Sequence, residues 1–355
     1  MKKILAIAIA SAFAAPAFAA TANVDIYGAM SVSVDRVDGD GTADSRTRVS
    51  SNNSYFGFKG AEDLGGGLSA VWQFEQAISI DQQNVGDTAN TDSVGVQSRR
   101  NTFAGLNSKT LGALTFGVQE SPMKTSIVRL DLFSNTIADY RTLMSPQTRG
   151  ESSILYSSPN FSGFTGKLMY SARDEDGTND DRDYWSGNVT YANGPIFATL
   201  AHERTNTSNV AGQDTTRVGF GYKFGDAKVG VAYNTTEQDV TATTDRKANT
   251  WMVNGAYKMG NIELKAQYLK QADRKGNLGA SDTGANQWTI GADYSLSKRT
   301  ELYALYTKLN NDSASSNVLG NNGNVVGGNT GIAMVSPGGA GADPSAFSVG
   351  MVHKF

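Results

Sequence analysis

Residues 216–224 read TRVGFGYKF, and every second residue is large and apolar: Val218, Phe220, Tyr222 and Phe224 fall in one phase, Arg217, Gly219, Gly221 and Lys223 in the other. A two-residue period is that of a β-strand, whose side chains leave the backbone on alternate faces. The stretch therefore predicts a strand with one apolar and one polar or side-chain-free face. Gly225-Asp226 follows as a tight turn, and AKVGVAYN repeats the scheme on the other side of it.

The same unit recurs in both directions. In DIYGAMSVSV, Ile26, Met30, Val32 and Val34 oppose Asp25, Tyr27, Ser31 and Ser33; in GLSAVWQFE, Leu68, Ala70, Trp72 and Phe74 oppose Ser69, Gln73 and Glu75. Trp251, Val253 and Tyr257, then Ile262, Leu264 and Tyr268, then Trp288, Ile290 and Tyr294, continue the apolar face. In TELYALYTK both faces carry large residues, so the pattern does not orient it. About sixteen such strands fit the chain. Short connections such as Asn193-Gly194-Pro195 and Met259-Gly260-Asn261 alternate with long polar loops, among them Ser79 to Gln97, Glu120 to Gly150 and Asn310 to Asp343.

An even strand count, with short turns at one end and long loops at the other, predicts an all-β antiparallel transmembrane barrel. In hydrocarbon every peptide group needs a partner, so a sheet must close on itself. Alternate residues then face lipid and lumen, which keeps the mean hydropathy low, here −0.34, although half of each strand is apolar. Tyr222, Phe224, Tyr257, Tyr294 and Phe355 stand near strand ends, where amphipathic rings suit the lipid headgroups. A soluble β-sandwich or β-helix would show the same alternation, but would have to enclose all these apolar faces in one oversized core.

Composition narrows the chemistry. The 355 residues include no Cys and two His, and 18% are charged. Disulfides, thiolate metal sites and cysteine nucleophiles are excluded, and no cofactor or metal is expected. Residues 1–20 have the layout of a secretory signal peptide, with Lys2 and Lys3, an apolar run, and Ala17-x-Ala19 before the cut, leaving 21–355 as the barrel. Two of the 31 Lys and Arg lie in that leader, so 29 remain against 34 acidic residues, a net of −5, and nothing points to nucleic acid. His202-Glu203 lacks the positioned Ser and orienting acid of a hydrolase, and no enzymatic activity is expected. DEDGTNDDRD, residues 174–183, lacks EF-hand spacing and reads as a solvated loop, with divalent bridging between lipopolysaccharides as the alternative.

Three blocks carry a family resemblance: NVDIYG at 23–28; YFGFKGAEDLGGGLSAVWQFE at 55–75; and SILYSSPNFSGFTGKLMYSA at 153–172 together with the terminal FSVGMVHKF. In order along the whole mature chain, these resemble the general porins of the Gram-negative outer membrane, especially the trimeric β-proteobacterial type. The resemblance implies a 16-stranded barrel, a homotrimer in outer-membrane lipid and lipopolysaccharide, and passive diffusion of ions and small hydrophilic solutes. Alternatives are a substrate-selective porin and a non-channel, adhesin-like envelope protein. The terminal strand, with Phe347, Val349, Met351, His353 and Phe355 alternating on one face, resembles the signal read by the barrel-assembly machinery through strand addition.

In such porins the third long loop folds inward and narrows the pore, opposite wall arginines. Here that loop is about 120–150, and its stretch SIVRLDLFSNTIADYRTLM is too apolar for a loop meant only for solvent. Packed inside, it would leave Arg129, Asp131, Asp139 or Arg141 toward the channel; packed outside, it would be a subunit contact. Arg100 and Arg149 match wall arginines of the family, with Thr102 and Ala104 expected on the lumen face of Arg100. Tyr55 replaces a common arginine and Ala29 a common lysine. The loop lacks the family's Pro-Glu-Phe motif, leaving Glu120, Asp131 and Asp139 as substitutes. Counting Arg100, Lys124, Arg129, Arg141 and Arg149 against Glu120, Asp131 and Asp139, the lumen leans toward weak anion preference.

Overall fold

The computed structural model describes residues 23–41, 45–78, 80, 96–172, 182–207, 212–241, 244–277, 279–320 and 338–355. The leader expected over 1–20 lies outside the described residues, as do most of the 79–97 loop and most of the acidic 174–183 loop.

Eighteen extended segments form sixteen barrel strands, because two strands are each interrupted once. In chain order they are β1 (Asn23–Asp38), β2 (Arg46–Ser51 and Tyr55–Gly65), β3 (Leu68–Ile78), β4 (Val96–Arg99 and Thr102–Ser108), β5 (Gly112–Glu120), β6 (Arg149–Ser157), β7 (Phe164–Ser171) and β8 (Arg182–Asn193). The second half is β9 (Ile196–Thr207), β10 (Gln213–Phe224), β11 (Ala227–Thr241), β12 (Thr244–Met259), β13 (Ile262–Gln271), β14 (Ala285–Ser295), β15 (Thr300–Asn311) and β16 (Ser345–Lys354). Each strand pairs antiparallel with the next, and β16 pairs with β1, so the sheet is closed. Closure is sealed where Gly28 and Phe355 exchange backbone hydrogen bonds of 3.1 Å in both directions.

The alternation read from residues 216–224 separates outside from inside. Val218, Phe220, Tyr222 and Phe224 are exposed on the outer surface, while Arg217, Gly219 and Gly221 are buried within. Outward aromatics form two belts. On β8, β12 and β14, Trp185 and Tyr191, Trp251 and Tyr257, and Trp288 and Tyr294 are each six residues apart, about 20 Å along the strand. Rings on neighbouring strands pair within each belt: Tyr170 with Trp185 and Phe164 with Tyr191 at 4.6 Å, Trp251 with Tyr268 at 5.3 Å, and Trp288 with Tyr306 at 5.2 Å. Between the belts the outer surface is apolar, with Val231 and Val253 beside Phe220, as a lipid-facing band requires.

The structure also orients TELYALYTK. Leu302, Ala304 and Tyr306 of β15 face outward; Tyr303, Leu305 and Leu309 face inward and are buried. Both faces are apolar because the inner one meets protein, not water: Leu305 and Leu309 belong to a buried cluster with Phe133 and Ile137 of the 120–150 loop.

Val253 lies between the belts and pairs with outward Val231. Val253→Arg is expected to destabilise the barrel by about 2–4 kcal/mol in urea titrations with liposome-inserted protein, the cost of arginine near a bilayer midplane.

Candidate functional site

The loop leaves β5 at Glu120 and returns at Arg149, which are paired in register. Ser121 caps a short helix (Pro122–Thr125) by accepting from the Lys124 backbone N–H, and two single 3₁₀ turns, Val128–Leu130 and Tyr140–Thr142, follow. Ile127, Leu130, Phe133, Ile137, Tyr140, Leu143 and Met144 are all buried, against lumen-facing Phe197, Met252, Leu269, Leu305 and Leu309. The loop thus lies inside the barrel, on the wall made by β9–β15, and the outside alternative is set aside.

The wall is shaped for it. A Cβ on Gly219 would come within 2.8 Å of the Ile127 side chain, and one on Gly221 within 2.7 Å of the Leu130 side chain, so glycine at both positions lets these side chains seat without shifting. Lumen-facing polar side chains then hold loop backbone. Asn188 donates to Pro122 O at 2.9 Å, Ser186 accepts from Met123 N at 3.0 Å, Asn234 donates to Ser145 O at 3.0 Å, Gln267 donates to Ala138 O at 3.2 Å, and Asn254 donates to Leu130 O. Burying each large apolar side chain is worth about 1.5–3 kcal/mol. A hydrogen bond nets about 1 kcal/mol. Burial therefore keeps the loop in, and the hydrogen bonds decide where it lies.

The charged groups gather across from this seat. Lys124 Nζ is 3.0 Å and Arg149 Nη2 3.1 Å from the same Glu120 oxygen, so two cations share one carboxylate. Arg100 is paired with Glu75, donates to Asn53 Oδ1 at 2.9 Å, and lies 4.5 Å over the Tyr55 ring. Tyr55 thus supports Arg100 by stacking where the resemblance implied a further charge. Glu75 also accepts from Tyr27 at 3.0 Å.

Arg100 reaches the lumen differently from the expectation. Gln76 opposes Arg99 while Gln73 opposes Phe103, so β4 carries one extra residue between them. This bulge reverses the side-chain phase. Ala104 therefore pairs with outward Trp72, and Thr102 falls in Ala104's phase, not on the lumen face of Arg100.

Asp139 and Arg141 do not stand open to the channel as expected. They pair with each other and are buried, Asp139 completely. Asp139 also accepts from Asn135 N at 2.8 Å and Arg141 N at 2.9 Å, so the carboxylate organises the loop's own turn. Asn135 joins this pair to the wall: its Oδ1 accepts from Arg141 at 2.8 Å and from Asn53 at 2.6 Å. Arg129 is exposed, 5.7 Å from the Phe197 ring, with no ion-pair partner among the described residues. Asp131 caps Phe133 N at 3.2 Å, and burial, then the Asp139 carboxylate, push its carboxyl well above the usual range.

Glu75, Asn53 and Arg217 escaped the sequence reading. Glu75 carried a signal, since it falls in the polar phase of GLSAVWQFE. Asn53 did not, because it occupies the break in β2 with a φ of 63°. His202 and Glu203 point to opposite faces: His202 outward to Thr216 at 3.0 Å, Glu203 inward to Thr148.

The chain is a closed sixteen-stranded barrel with an apolar loop folded onto its inner wall, and the family model described as Gram-negative porin matches residues 6–314. The chain belongs to the Gram-negative porin family. This porin is 32% identical to outer membrane porin protein 32 of Delftia acidovorans over the full length of both. It is 30% identical to major outer membrane protein P.IB of Neisseria meningitidis serogroup A, over 84% of this chain and 91% of that one. Among solved structures, the anion-selective porin from Comamonas acidovorans superposes with a TM-score of 0.76 at 28% identity, covering 94% of this chain and 100% of that chain. The porin is thus a protein of the Gram-negative outer membrane, and its barrel is a channel for passive diffusion of ions and small hydrophilic solutes. Its relatives are channels, not enzymes.

Burial lowers the Lys124 ammonium to about 8, against the pull of Glu120. Its positive charge is therefore lost as pH rises through about 8. Anion permeability relative to cation should fall across that range, read from reversal potentials between pH 6 and pH 9.5, and Lys124→Met should remove the step.

Proposed function

We propose that the porin prefers anions weakly, filtering solutes by size and by a net positive charge at the narrowing between the loop and the wall of β2–β6. The observation that carries this is the pairing of Lys124 and Arg149 with one carboxylate, Glu120. With Asp139 cancelled by Arg141, the groups left beside the channel are Arg100, Lys124, Arg129 and Arg149 against Glu75 and Glu120, with Asp131 biased toward its neutral form. The excess is small, and wall charges in a wet lumen are screened over about 8 Å at physiological salt. Weak preference follows.

A reversal potential measured across a KCl gradient tests this; anion-selective sign is expected, and cation-selective sign would overturn it. Glu75→Gln and Arg100→Ala should move it in opposite directions, toward anions and toward cations. One unit charge at roughly 8 Å in water is worth about 0.5 kcal/mol, hence a roughly twofold change in permeability ratio for each.

We also propose that the porin assembles as a homotrimer in lipopolysaccharide-containing outer membrane, and that its last strand is what the barrel-assembly machinery reads. Support for the second point is the outward row of Phe347, Val349 and Met351, with His353 bonded to Thr300 at 2.9 Å and the Phe355 ring resting over Gly28. Phe355→Ala should lower the yield of folded, heat-modifiable barrel in the outer membrane while the purified chain still refolds in detergent; unchanged yield would contradict the assignment.

A further inference from the structure

Arg217 is the largest side chain fully enclosed among the described residues, and no carboxylate among them lies within ion-pairing distance of it. A guanidinium buried this deep ordinarily has an acidic partner. The nearby carboxylate, Glu203, is engaged by Thr148 instead. The donors of Arg217 go to neutral oxygens: Nη1 to Met123 O at 3.1 Å, Nη2 to Pro146 O at 3.4 Å, and Nε to Asn234 Oδ1 at 3.0 Å. Met123 stands where the inward loop departs and Pro146 where it returns. Asn234 donates to Ser145 O, next to Pro146, so one planar fork and its neighbour grip both ends of the loop.

This grip differs in kind from the apolar seat. Burial is non-directional, and alone it would let the loop slide or tilt on its wall. A fork with fixed donor directions across two stems sets their separation and the depth at which the loop hangs. Its charge is also insensitive to pH, so the grip holds under conditions that titrate Lys124.

We propose that Arg217 is the positioning residue that fixes the pore aperture, by clamping both stems of the inward loop to β10. Without it the loop stays in the lumen on its apolar face, but its stems fluctuate and the open-channel current becomes noisy.

The chain has no cysteine, so a tether can be introduced alone. The atom that a Cβ on Gly219 would meet at 2.8 Å is Ile127 Cγ2, which I127C removes, so I127C with G219C puts a bond where that close approach was. The porin carrying R217M, I127C and G219C is folded oxidised, so the tether holds the loop in place of the clamp, inserted into planar bilayers and then reduced in place. Open-channel noise is expected to rise roughly threefold or more on reduction, as a local opening is released. The I127C and G219C variant with Arg217 intact should stay quiet when reduced, and R217K, which keeps a donor but not the fork, should lie between. A reduced R217M channel as quiet as its Arg217 counterpart would overturn the proposal. So would noise that appears on reduction whether or not Arg217 is present.

Discussion

The apolar contact between the 120–150 loop and the inner wall of β9–β15 is the constraint on which the site depends. A barrel of sixteen strands would otherwise hold a wide water-filled lumen whose wall charges are too far apart to act together. Laying Ile127, Leu130 and Phe133 against that wall puts the loop inside the lumen and brings its charges toward the opposite wall. Three ordinary features follow from this contact: glycines at 219 and 221, an apolar inner face on β15, and amide side chains aimed at loop carbonyls.

The charges divide by task. Asp139 and Arg141 neutralise each other where they are driest, and what they supply is the shape of the loop. Glu120 pairs with Lys124 and Arg149, and Glu75 with Arg100, where all but Glu75 keep more exposure than the Asp139–Arg141 pair. The Asn53–Asn135 hydrogen bond links the two groups without moving charge between them. A fully buried pair that builds the loop and a less buried pair at its edge cannot be told apart by residue type alone.

That limit explains what could be read from the sequence. Strand phase was legible wherever lipid lay on one side and water on the other, as in residues 216–224, because one boundary sorts the side chains. TELYALYTK was illegible because its inner neighbour is another part of the chain, 170 residues away in sequence. Thr102 and Ala104 do not share the phase expected from Arg100, since one extra residue in β4 leaves no mark in composition. Arg217 was visible, with Lys223, as a charged residue in the glycine-containing phase of residues 216–224, but two of its three partners are backbone carbonyls, which no sequence displays.

The loop covers one wall of the barrel and leaves the channel against the other. Ser134, exposed on the loop, and Thr199, buried beside Ile127 under it, give the most direct measurement. In single-cysteine variants S134C and T199C, a charged methanethiosulfonate added to open channels in a bilayer should reduce current through the first quickly and leave the second unmodified. Equal, rapid modification of both positions would contradict this and mean that the loop does not lie on the wall.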